Sequence, residues 1–227
     1  MNTTHYTVKA VDYFSNVRKD IVSLIPADPG QKILEIGAGT GNTLVYVKEK
    51  GLASEVMGVE LMKISGSNQD NPAIDKFQIG NIEQEEINAP KEYFDVVLCP
   101  DVLEHLLDPW AAVEKIAGHL KKGGLFIISV PNLREWSTLV NIVFRGDFSY
   151  QPEGGIMDRT HLRFFCRKNI QNLLTTPSLL PIYCKPNFML AKEIPEGRKR
   201  RIFNRCTFRL FEEFLAVQYL VIARKNG

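Results

Sequence analysis

The sequence predicts an α/β fold in which helices cover both faces of one doubly wound, mostly parallel sheet. Up to residue 130, short apolar runs alternate with stretches of helical periodicity, as is typical of parallel sheets. A glycine-rich turn follows the first apolar run, and residues 214–224 add a late strand that we expect to insert antiparallel beside the fifth. With 227 residues, the chain is long enough for one domain with a substantial core.

Residues 32–42, KILEIGAGTGN, predict a strand, a tight turn and the start of a helix. The apolar residues of this strand suit burial on both faces. Gly37, Gly39 and Gly41 permit positive φ and let bare backbone approach a ligand. The following helix N-terminus offers free N–H groups and a positive dipole end to an anionic or carboxylate-bearing cofactor. A dinucleotide fingerprint needs its third glycine five residues after the first, where this chain has Asn42.

Further strands are predicted at residues 55–61, 76–79, 93–99 and 125–130. Glu60 lies at the end of the second strand, 23 residues after Gly37, where a carboxylate can accept hydrogen bonds from a ribose diol. Asp108 followed by Pro109 predicts a helix start, because the pair combines an N-cap with proline at the first helical position. Lys121 and Lys122 are expected to complement the end of that helix.

Composition excludes several classes of protein. The net charge of +2 gives no global field for nucleic acid or membrane. The four cysteines are too scattered for a zinc site or a disulfide framework. The first residues lack a signal pattern, and no apolar run is long enough to span a bilayer. We therefore expect a cytoplasmic protein without a membrane span, a nucleic-acid partner or a metal. Asp101, Glu104 and His105 could be imagined as metal ligands, but such spacing is common by chance.

Residues 131–165 predict a cap and lid, because apolar residues at helical spacing precede a loop that mixes aromatics with Gly154 and Gly155. We expect a single domain over residues 1–227. It comprises covering helices in 1–30, a cofactor-binding core in 31–130, the cap and lid in 131–165 and the C-terminal part of the sheet in 166–227. The region from Tyr6 to Tyr13 could close over the active site.

Residues 192–209 hold seven basic side chains: Lys192, Arg198, Lys199, Arg200, Arg201, Arg205 and Arg209. A solvated surface is one interpretation. A phosphate-bearing substrate, an anionic partner and a membrane surface are the others.

Several phrases together resemble the class I S-adenosylmethionine-dependent methyltransferases, in the type 11 or type 23 branch: EIGAGTGN, FDVVLCPDVLEHLLDPW, LKKGGLFIISVPN and the distal GDFSY with GGIMDRTHLRFF. The distal phrase resembles a bacterial subgroup associated with biosynthesis. The resemblance implies a Rossmann-like, seven-stranded sheet with an antiparallel last strand and a helical cap. The A-G-F phrase usual near the end of such domains is absent, and the chain reads SLLPIYC there.

The resemblance also implies S-adenosylmethionine as the cofactor. Glu35 would lie beneath the methionine moiety, Glu60 would hold the ribose, and Asn81 would hold the adenine edge in place of the usual Asp. The full implied set is Glu35, Gly37, Ala38, Gly39, Gly41, Asn42, Glu60, Leu61, Met62, Asn81, Ile82, Cys99, Pro100 and Leu103.

We expect a methyltransferase acting on a small molecule, with oxygen the favoured acceptor. His161 and His105 are the catalytic candidates, because an imidazole titrates in the range that suits a general base. Substrate contacts are expected from Trp136, Tyr150, Arg159 and Arg163. Two alternatives stay open: a non-catalytic S-adenosylmethionine-binding scaffold that contacts an anionic partner through residues 192–209, and a nicotinamide-dependent oxidoreductase, which the glycine spacing disfavours. The protein could also form a homodimer.

Overall fold

The computed structural model of the protein describes residues 17–151, 154–188 and 194–227. The predicted closure by Tyr6 to Tyr13 and the basic residue Lys192 lie outside these residues. The strands are β1 Lys32–Ile36, β2 Glu55–Glu60, β3 Lys76–Ile79, β4 Phe94–Pro100, β5 Leu120–Pro131, β6 Leu179–Asn187 and β7 Gln218–Lys225. The helices are α1 Lys19–Val22, α2 Asn42–Glu49, α3 Pro109–Ala117, α4 Trp136–Phe144, α5 Arg167–Leu174, α6 Ile194–Cys206 and α7 Glu212–Leu215.

The strands form one seven-stranded sheet in the order β3-β2-β1-β4-β5-β7-β6. Neighbours from β3 to β5 run parallel, whereas β7 is antiparallel to both β5 and β6. The predicted fold class and the insertion of the last strand beside the fifth are therefore confirmed. From β1 the chain proceeds first toward β3 and then, from β4, toward the opposite edge. This reversal makes the carboxyl ends of β1 and β4 the topological switch point, where open α/β sheets bind ligands.

Both faces of the sheet are covered, as the continuous apolar strands predict. Along β1, Ile33 packs into the core on one face, and its neighbour Leu34 packs into the core on the other. Successive side chains of a strand point to opposite faces, so a strand buried on both sides needs an unbroken apolar run.

The glycine turn after β1 has the conformation that its composition predicts. Gly37, Gly39 and Gly41 all have positive φ, at 70°, 53° and 80°. A Cβ built on Gly37 would lie 2.4 Å from Cγ2 of Val102, so a larger residue would collide with the segment after β4.

The region between α3 and β5 differs from the sequence expectation. The strand begins at Leu120, so Lys121 and Lys122 belong to β5 and do not cap α3, which ends at Ala117. A register shift explains the extra length: Phe94 pairs with Leu120, but Val96 pairs with Leu125.

Two further expectations on packing need correction. Helical spacing predicts Trp110 on the same apolar stripe of α3 as Val113 and Ile116, but Trp110 is 58% exposed. Residues 212–215 form α7, not the start of the last strand. The side-chain amide of Asn132 donates to the carbonyl oxygens of Glu213 and Ala216, both at 2.8 Å, and so holds this turn against the sheet.

Within the described ranges, no helix is both long enough and apolar enough to cross a bilayer.

The predicted N-cap of α3 is confirmed: Asp108 Oδ1 accepts a hydrogen bond from the backbone N–H of Ala111 at 3.0 Å, and Pro109 occupies the first helical position. We expect Asp108→Ala to lower the free energy of unfolding by about 1 kcal/mol, because the helix loses a capped N–H group. Denaturant unfolding measures the change. Asp108→Asn keeps an acceptor and should stay close to wild type; an equal loss in both variants would contradict the capping role.

Candidate active site

A cavity of about 1060 Å³ opens at the carboxyl ends of the parallel strands. Its walls come from the glycine turn, the ends of β2 and β3, the segment after β4, helix α4 and the lid. The cavity therefore lies at the topological switch point, and its volume suits an organic ligand.

Glu60 is fixed in the cavity wall by the glycine turn. Its Oε2 accepts the backbone N–H of Gly39 and its Oε1 that of Leu61, both at 2.7 Å. Burial raises the pKa of the carboxyl, although N–H groups of Gly39, Leu61 and Met62 act in the opposite direction. Each carboxylate oxygen can accept more than one hydrogen bond, so this geometry leaves capacity for a ligand's hydroxyl groups.

Glu35 lies on β1 beside the same turn and is buried. Among the described residues, no hydrogen-bond donor reaches its Oε2. Burial is the main cause that raises the pKa of this carboxyl to about 8. The charge of Arg18 lowers the pKa, and the charge of Glu60 raises it further. A buried acceptor without a protein donor is unusual and suits a site where a ligand supplies the hydrogen bond.

Arg18 enters the cavity wall from the segment before α1. Its guanidinium pairs with Asp101, and also bonds Asp20 at 2.9 Å and the Ser129 hydroxyl at 3.1 Å. Burial opposes the charge of Arg18, but Asp101 and Asp20 outweigh that effect and raise its pKa. Asp101 also accepts from Ser129 Oγ at 2.8 Å and from Gln218 Nε2 at 3.0 Å. The network ties four distant segments together at the end of β4.

His105 and His161 stand side by side in the cavity wall, with ring centroids 4.7 Å apart and planes at 67°. His105 Nδ1 lies 3.1 Å from the carbonyl oxygen of Thr160, and His161 Nδ1 lies 2.9 Å from that of Ile156. A carbonyl oxygen can only accept, so we assign the hydrogen of each neutral ring to Nδ1. Nε2 is then the atom of each ring that can accept a proton.

Glu104 completes this cluster. Its Oε1 lies 3.9 Å from His161 Nε2, and ligand atoms of Glu104, His105 and His161 all lie within 4.8 Å of one another. Two imidazoles and a carboxylate can hold a proton or, as a donor set, a divalent cation. The sequence grouped Asp101 with Glu104 and His105, but Asp101 pairs with Arg18, and the lid supplies His161 instead.

The lid holds His161 by a turn built on Asp158. The buried Asp158 carboxylate accepts the backbone N–H of Thr160 at 2.8 Å and its hydroxyl at 2.7 Å. The backbone N–H of His161 donates to the carbonyl oxygen of Asp158 at 3.0 Å. Such side-chain-to-backbone bonds are typical of Asp in turns.

The structure brings many of the predicted site residues to this cavity. Those that line it are Glu35, Gly37, Ala38, Gly39, Glu60, Leu61, Asn81, Ile82, Pro100, His105 and His161. Residues that no sequence pattern singled out also line it: Arg18, Thr138, Asn141 and Gln218. Arg200, one of the basic residues of 192–209, lines it as well. They come from elements far apart in the chain, and only the folded topology places them together.

Other predicted cofactor contacts lie away from the cavity wall. Cys99 and Leu103 are fully buried in the core, because they point away from the crevice. Gly41 and Asn42 begin α2, where Asn42 Oδ1 accepts from Asn68 Nδ2 at 2.7 Å. Met62 lies beyond β2, and its carbonyl oxygen accepts from the side chain of Gln69.

The predicted substrate residues are also outside the cavity wall. Trp136 and Tyr150 are 50% and 51% exposed. Arg159 is exposed beyond the Asp158 turn. Arg163 donates to the carbonyl oxygen of Leu107, and its guanidinium lies 6.0 Å from the ring centroid of Trp110.

The parallel sheet, the glycine turn and Glu60 at one crevice are the features of α/β proteins that bind a cofactor with a ribose, as the sequence predicts. A sequence model of the family described as "Methyltransferase domain" matches residues 11–176. The chain belongs to this family, which confirms the predicted class, the S-adenosylmethionine-dependent methyltransferases, and with it the cofactor.

Individual relatives agree with the family match. The chain is 30% identical over 130 residues to a ubiquinone biosynthesis O-methyltransferase of Xanthomonas campestris, covering 55% of this chain and 53% of that one. It is 27% identical over 175 residues to the human mitochondrial ubiquinone biosynthesis O-methyltransferase, covering 72% and 46%. The chain thus spans about half the length of the curated relatives it matches.

A solved S-adenosylmethionine-dependent methyltransferase of Listeria monocytogenes, described as putative, superposes with a TM-score of 0.61 at 18% identity. The match covers 92% of this chain and 97% of the other. This likeness confirms the Rossmann-like fold.

The raised pKa of Glu35 predicts a pH dependence of stability. A free glutamate titrates near 4.5, whereas Glu35 keeps its proton in the fold up to about pH 8. Between these values the folded state binds more protons than the unfolded state, so Glu35 makes stability fall as pH rises through this window.

We expect Glu35→Gln to remove this contribution, since the amide does not titrate. Between pH 5 and 8 the free energy of unfolding of wild type should therefore fall relative to that of the variant. The difference, variant minus wild type, should grow by an amount on the order of 1 kcal/mol or more. Denaturant unfolding of the cofactor-free protein measures this change, with Glu49→Gln, at an exposed residue of α2, as the control. Parallel pH curves for wild type and Glu35→Gln would contradict the assignment.

Proposed function

We propose that the protein transfers a methyl group from S-adenosylmethionine to a hydroxyl oxygen of a small molecule, with a histidine as the general base. The observation that carries this proposal is the pair His105 and His161, which lines the same cavity as the glycine turn and Glu60. The O-methyltransferase names of the relatives support oxygen as the acceptor atom.

The residues present fit the cofactor. Glu60 can accept hydrogen bonds from ribose hydroxyls, and the orphaned Oε2 of Glu35 offers an acceptor for an amino group beside the glycine turn. Because Gly37 has no side chain, the glycine turn can pack against Val102, and the backbone of Gly37 stays open to the cavity.

The cofactor would be held from several sides. Gly37, Ala38 and Gly39 would line its methionine part, and Arg18 would supply a cation for its carboxylate. Leu61, Asn81 and Ile82 would border its adenine. When bound, S-adenosylmethionine supplies an already activated methyl group, so the protein contributes mainly alignment and exclusion of water.

A hydroxyl acceptor needs a base, because a neutral alcohol or phenol is a weak nucleophile. His161 suits this role. Its Nδ1 lies 2.9 Å from the carbonyl oxygen of Ile156, so in the neutral ring the hydrogen is assigned to Nδ1 and the basic lone pair to Nε2. Glu104, 3.9 Å from that Nε2, would stabilise the imidazolium that forms. His105 orders the wall beside it and is the second candidate.

The lid and α4 indicate the class of acceptor. Apolar side chains of Ile142, Ile156 and Met157 line this part of the cavity together with the polar Asn141 and Ser149. This lining suits a hydroxylated molecule with an apolar body.

Cofactor binding can be tested before the acceptor is known. We expect calorimetric titration with S-adenosylhomocysteine to show binding, and NAD to show none. Glu60→Gln should weaken S-adenosylhomocysteine binding by roughly tenfold or more, because the amide loses the charge that strengthens ribose hydrogen bonds. Glu49→Gln, an exposed substitution of the same kind, should bind as wild type does. Equal affinity in all three proteins would contradict the assigned role of Glu60.

The base can be tested with any hydroxylated acceptor that supports release of S-adenosylhomocysteine. We expect His161→Ala to lower turnover by about 10²-fold or more while affinity for S-adenosylhomocysteine stays nearly intact. His119→Ala is the matched control, because His119 is also buried and also has Nδ1 2.9 Å from a backbone carbonyl, that of Pro90, but lies outside the cavity.

Near-wild-type turnover in His161→Ala would remove His161 from the mechanism. Tight S-adenosylhomocysteine binding with no turnover on any acceptor, in cell extract included, would favour the non-catalytic scaffold.

A further inference from the structure

Helix α6 and the turn after it carry an exposed surface that the proposed function does not use. We define this α6 surface by nine exposed side chains: Arg198, Lys199, Arg201, Ile202, Phe203, Arg205, Phe208, Leu210 and Phe211. We propose that the α6 surface docks the protein on an anionic lipid bilayer. The proposal stands independently of the methyl acceptor.

The packing of α6 determines which side chains face water. Gly197 and Asn204 are buried, and Arg200 pairs with the buried Glu135 at 2.9 Å. These three residues follow the i, i+3, i+7 spacing of one helical face. The side chains of the α6 surface project from the rest of the helix and from the turn, and no part of the chain that the structure describes covers them.

Positive charge is concentrated on this surface. Residues 198–211 contain six basic residues and no acidic one, although the whole chain has a net charge of only +2. Two of the six are engaged, since Arg200 pairs with Glu135 and Arg209 with Glu212. Within the part of the chain that the structure describes, the other four make no ion pair: Arg198, Lys199, Arg201 and Arg205. A basic cluster of this size is complementary to an anionic leaflet.

Large apolar side chains lie among these charges. Phe208 is 90% exposed and Leu210 is 77% exposed, and the rings of Phe203 and Phe211 lie 6.2 Å apart. Single apolar residues on a surface are ordinary, but a group within ten residues forms a patch that marks an interaction site.

The chemistry of the patch favours lipid over nucleic acid. Bases could stack on the three exposed phenylalanines, but the aliphatic side chains of Ile202 and Leu210 offer no ring, whereas a bilayer accepts both kinds of side chain. Cationic side chains around aromatic and aliphatic ones are typical of segments that lie in the membrane interface.

The turn after α6 holds Phe208 toward water in a conformation that is uncommon for a bulky residue. Phe208 and Arg209 have φ of 50° and 65°. Arg209 N donates to the carbonyl oxygen of Asn204 at 2.8 Å, and its Nε donates to Glu212 at 2.7 Å. Asn204 Nδ2 also donates to Glu212, at 3.3 Å. Strained residues persist where surrounding contacts fix them, and they occur preferentially at functional sites.

A groove beside α6 extends the same surface. It has a volume of about 670 Å³ and is lined by Lys185 of β6 and by Arg201 and Arg205 of α6, together with Asp20 and Glu212. The two acidic residues already pair with Arg18 and Arg209. The cations of this groove are placed to receive the phosphate of a lipid headgroup.

The α6 surface also adjoins the cavity. Arg200 lines the cavity and pairs with Glu135, which caps the N-terminus of α4. Docking through α6 would therefore place the cavity near the bilayer, where an amphipathic ligand could reach it.

Flotation of the purified full chain with lipid vesicles tests the proposal. We expect binding to vesicles of phosphatidylcholine mixed equally with phosphatidylglycerol, little binding to phosphatidylcholine alone, and a decline as salt rises. Arg201→Glu with Arg205→Glu should weaken binding to the anionic vesicles by about tenfold or more. Phe208→Ser with Leu210→Ser should weaken it comparably while retaining the salt dependence.

The matched control is Lys122→Glu with Lys168→Glu, which changes the net charge equally at exposed lysines outside the α6 surface. It should float as wild type does, and circular dichroism should show all variants folded. No binding to anionic vesicles at low salt would overturn the proposal, as would equal loss in the control. Binding to a single-stranded polynucleotide that outcompetes vesicles, without sensitivity to Phe208→Ser, would assign the surface to nucleic acid instead.

Discussion

The site depends on the close approach of two loops, one after β1 and one after β4. These strands are neighbours in the sheet, so their carboxyl ends must share one crevice. Gly37 permits the approach, because a Cβ there would lie 2.4 Å from the side chain of Val102. The glycine turn can then present bare backbone to the cavity, and the segment after β4 can direct Asp101 and His105 into the same wall.

The cavity wall has two regions that differ in their electrostatics, one around the charge of Arg18 and one around the buried carboxyl of Glu35. Arg18, Asp101, Ser129 and Gln218 form a hydrogen-bonded network around a half-buried guanidinium. Glu35 lies nearby with an acceptor that no described residue fills, and burial raises its pKa. Water is excluded from such groups, so each charge must be paired, neutralised or met by a ligand. A cofactor with an amino group and a ribose diol would meet the acceptors of Glu35 and Glu60, and its carboxylate would lie near the charge of Arg18, as proposed above.

The lid and α6 contribute in different ways: the lid positions a histidine in the cavity, and α6 carries an exposed surface. The Asp158 turn places His161 against His105, which converts two histidines far apart in the chain into one cluster. Helix α6 buries only a narrow face and leaves a cationic, apolar face to water. The same helix thus contributes Arg200 to the cavity and an exposed surface to the exterior, and the proposed docking on a bilayer would link that surface with acceptor access.

The sequence by itself determined the local features. Apolar runs, the three glycines and Asp108-Pro109 specify strands, a turn and a helix start, because these effects act within a few residues. The position of Glu60 at the end of β2 followed from the same local patterns. Only the tertiary structure decided the rest. Arg18 and His161 reach the cavity through long-range packing, Cys99 and Leu103 turn into the core, and Lys121 joins β5 through a register shift. Spacing along the chain carries no information on such contacts, because they depend on which distant elements the sheet brings together.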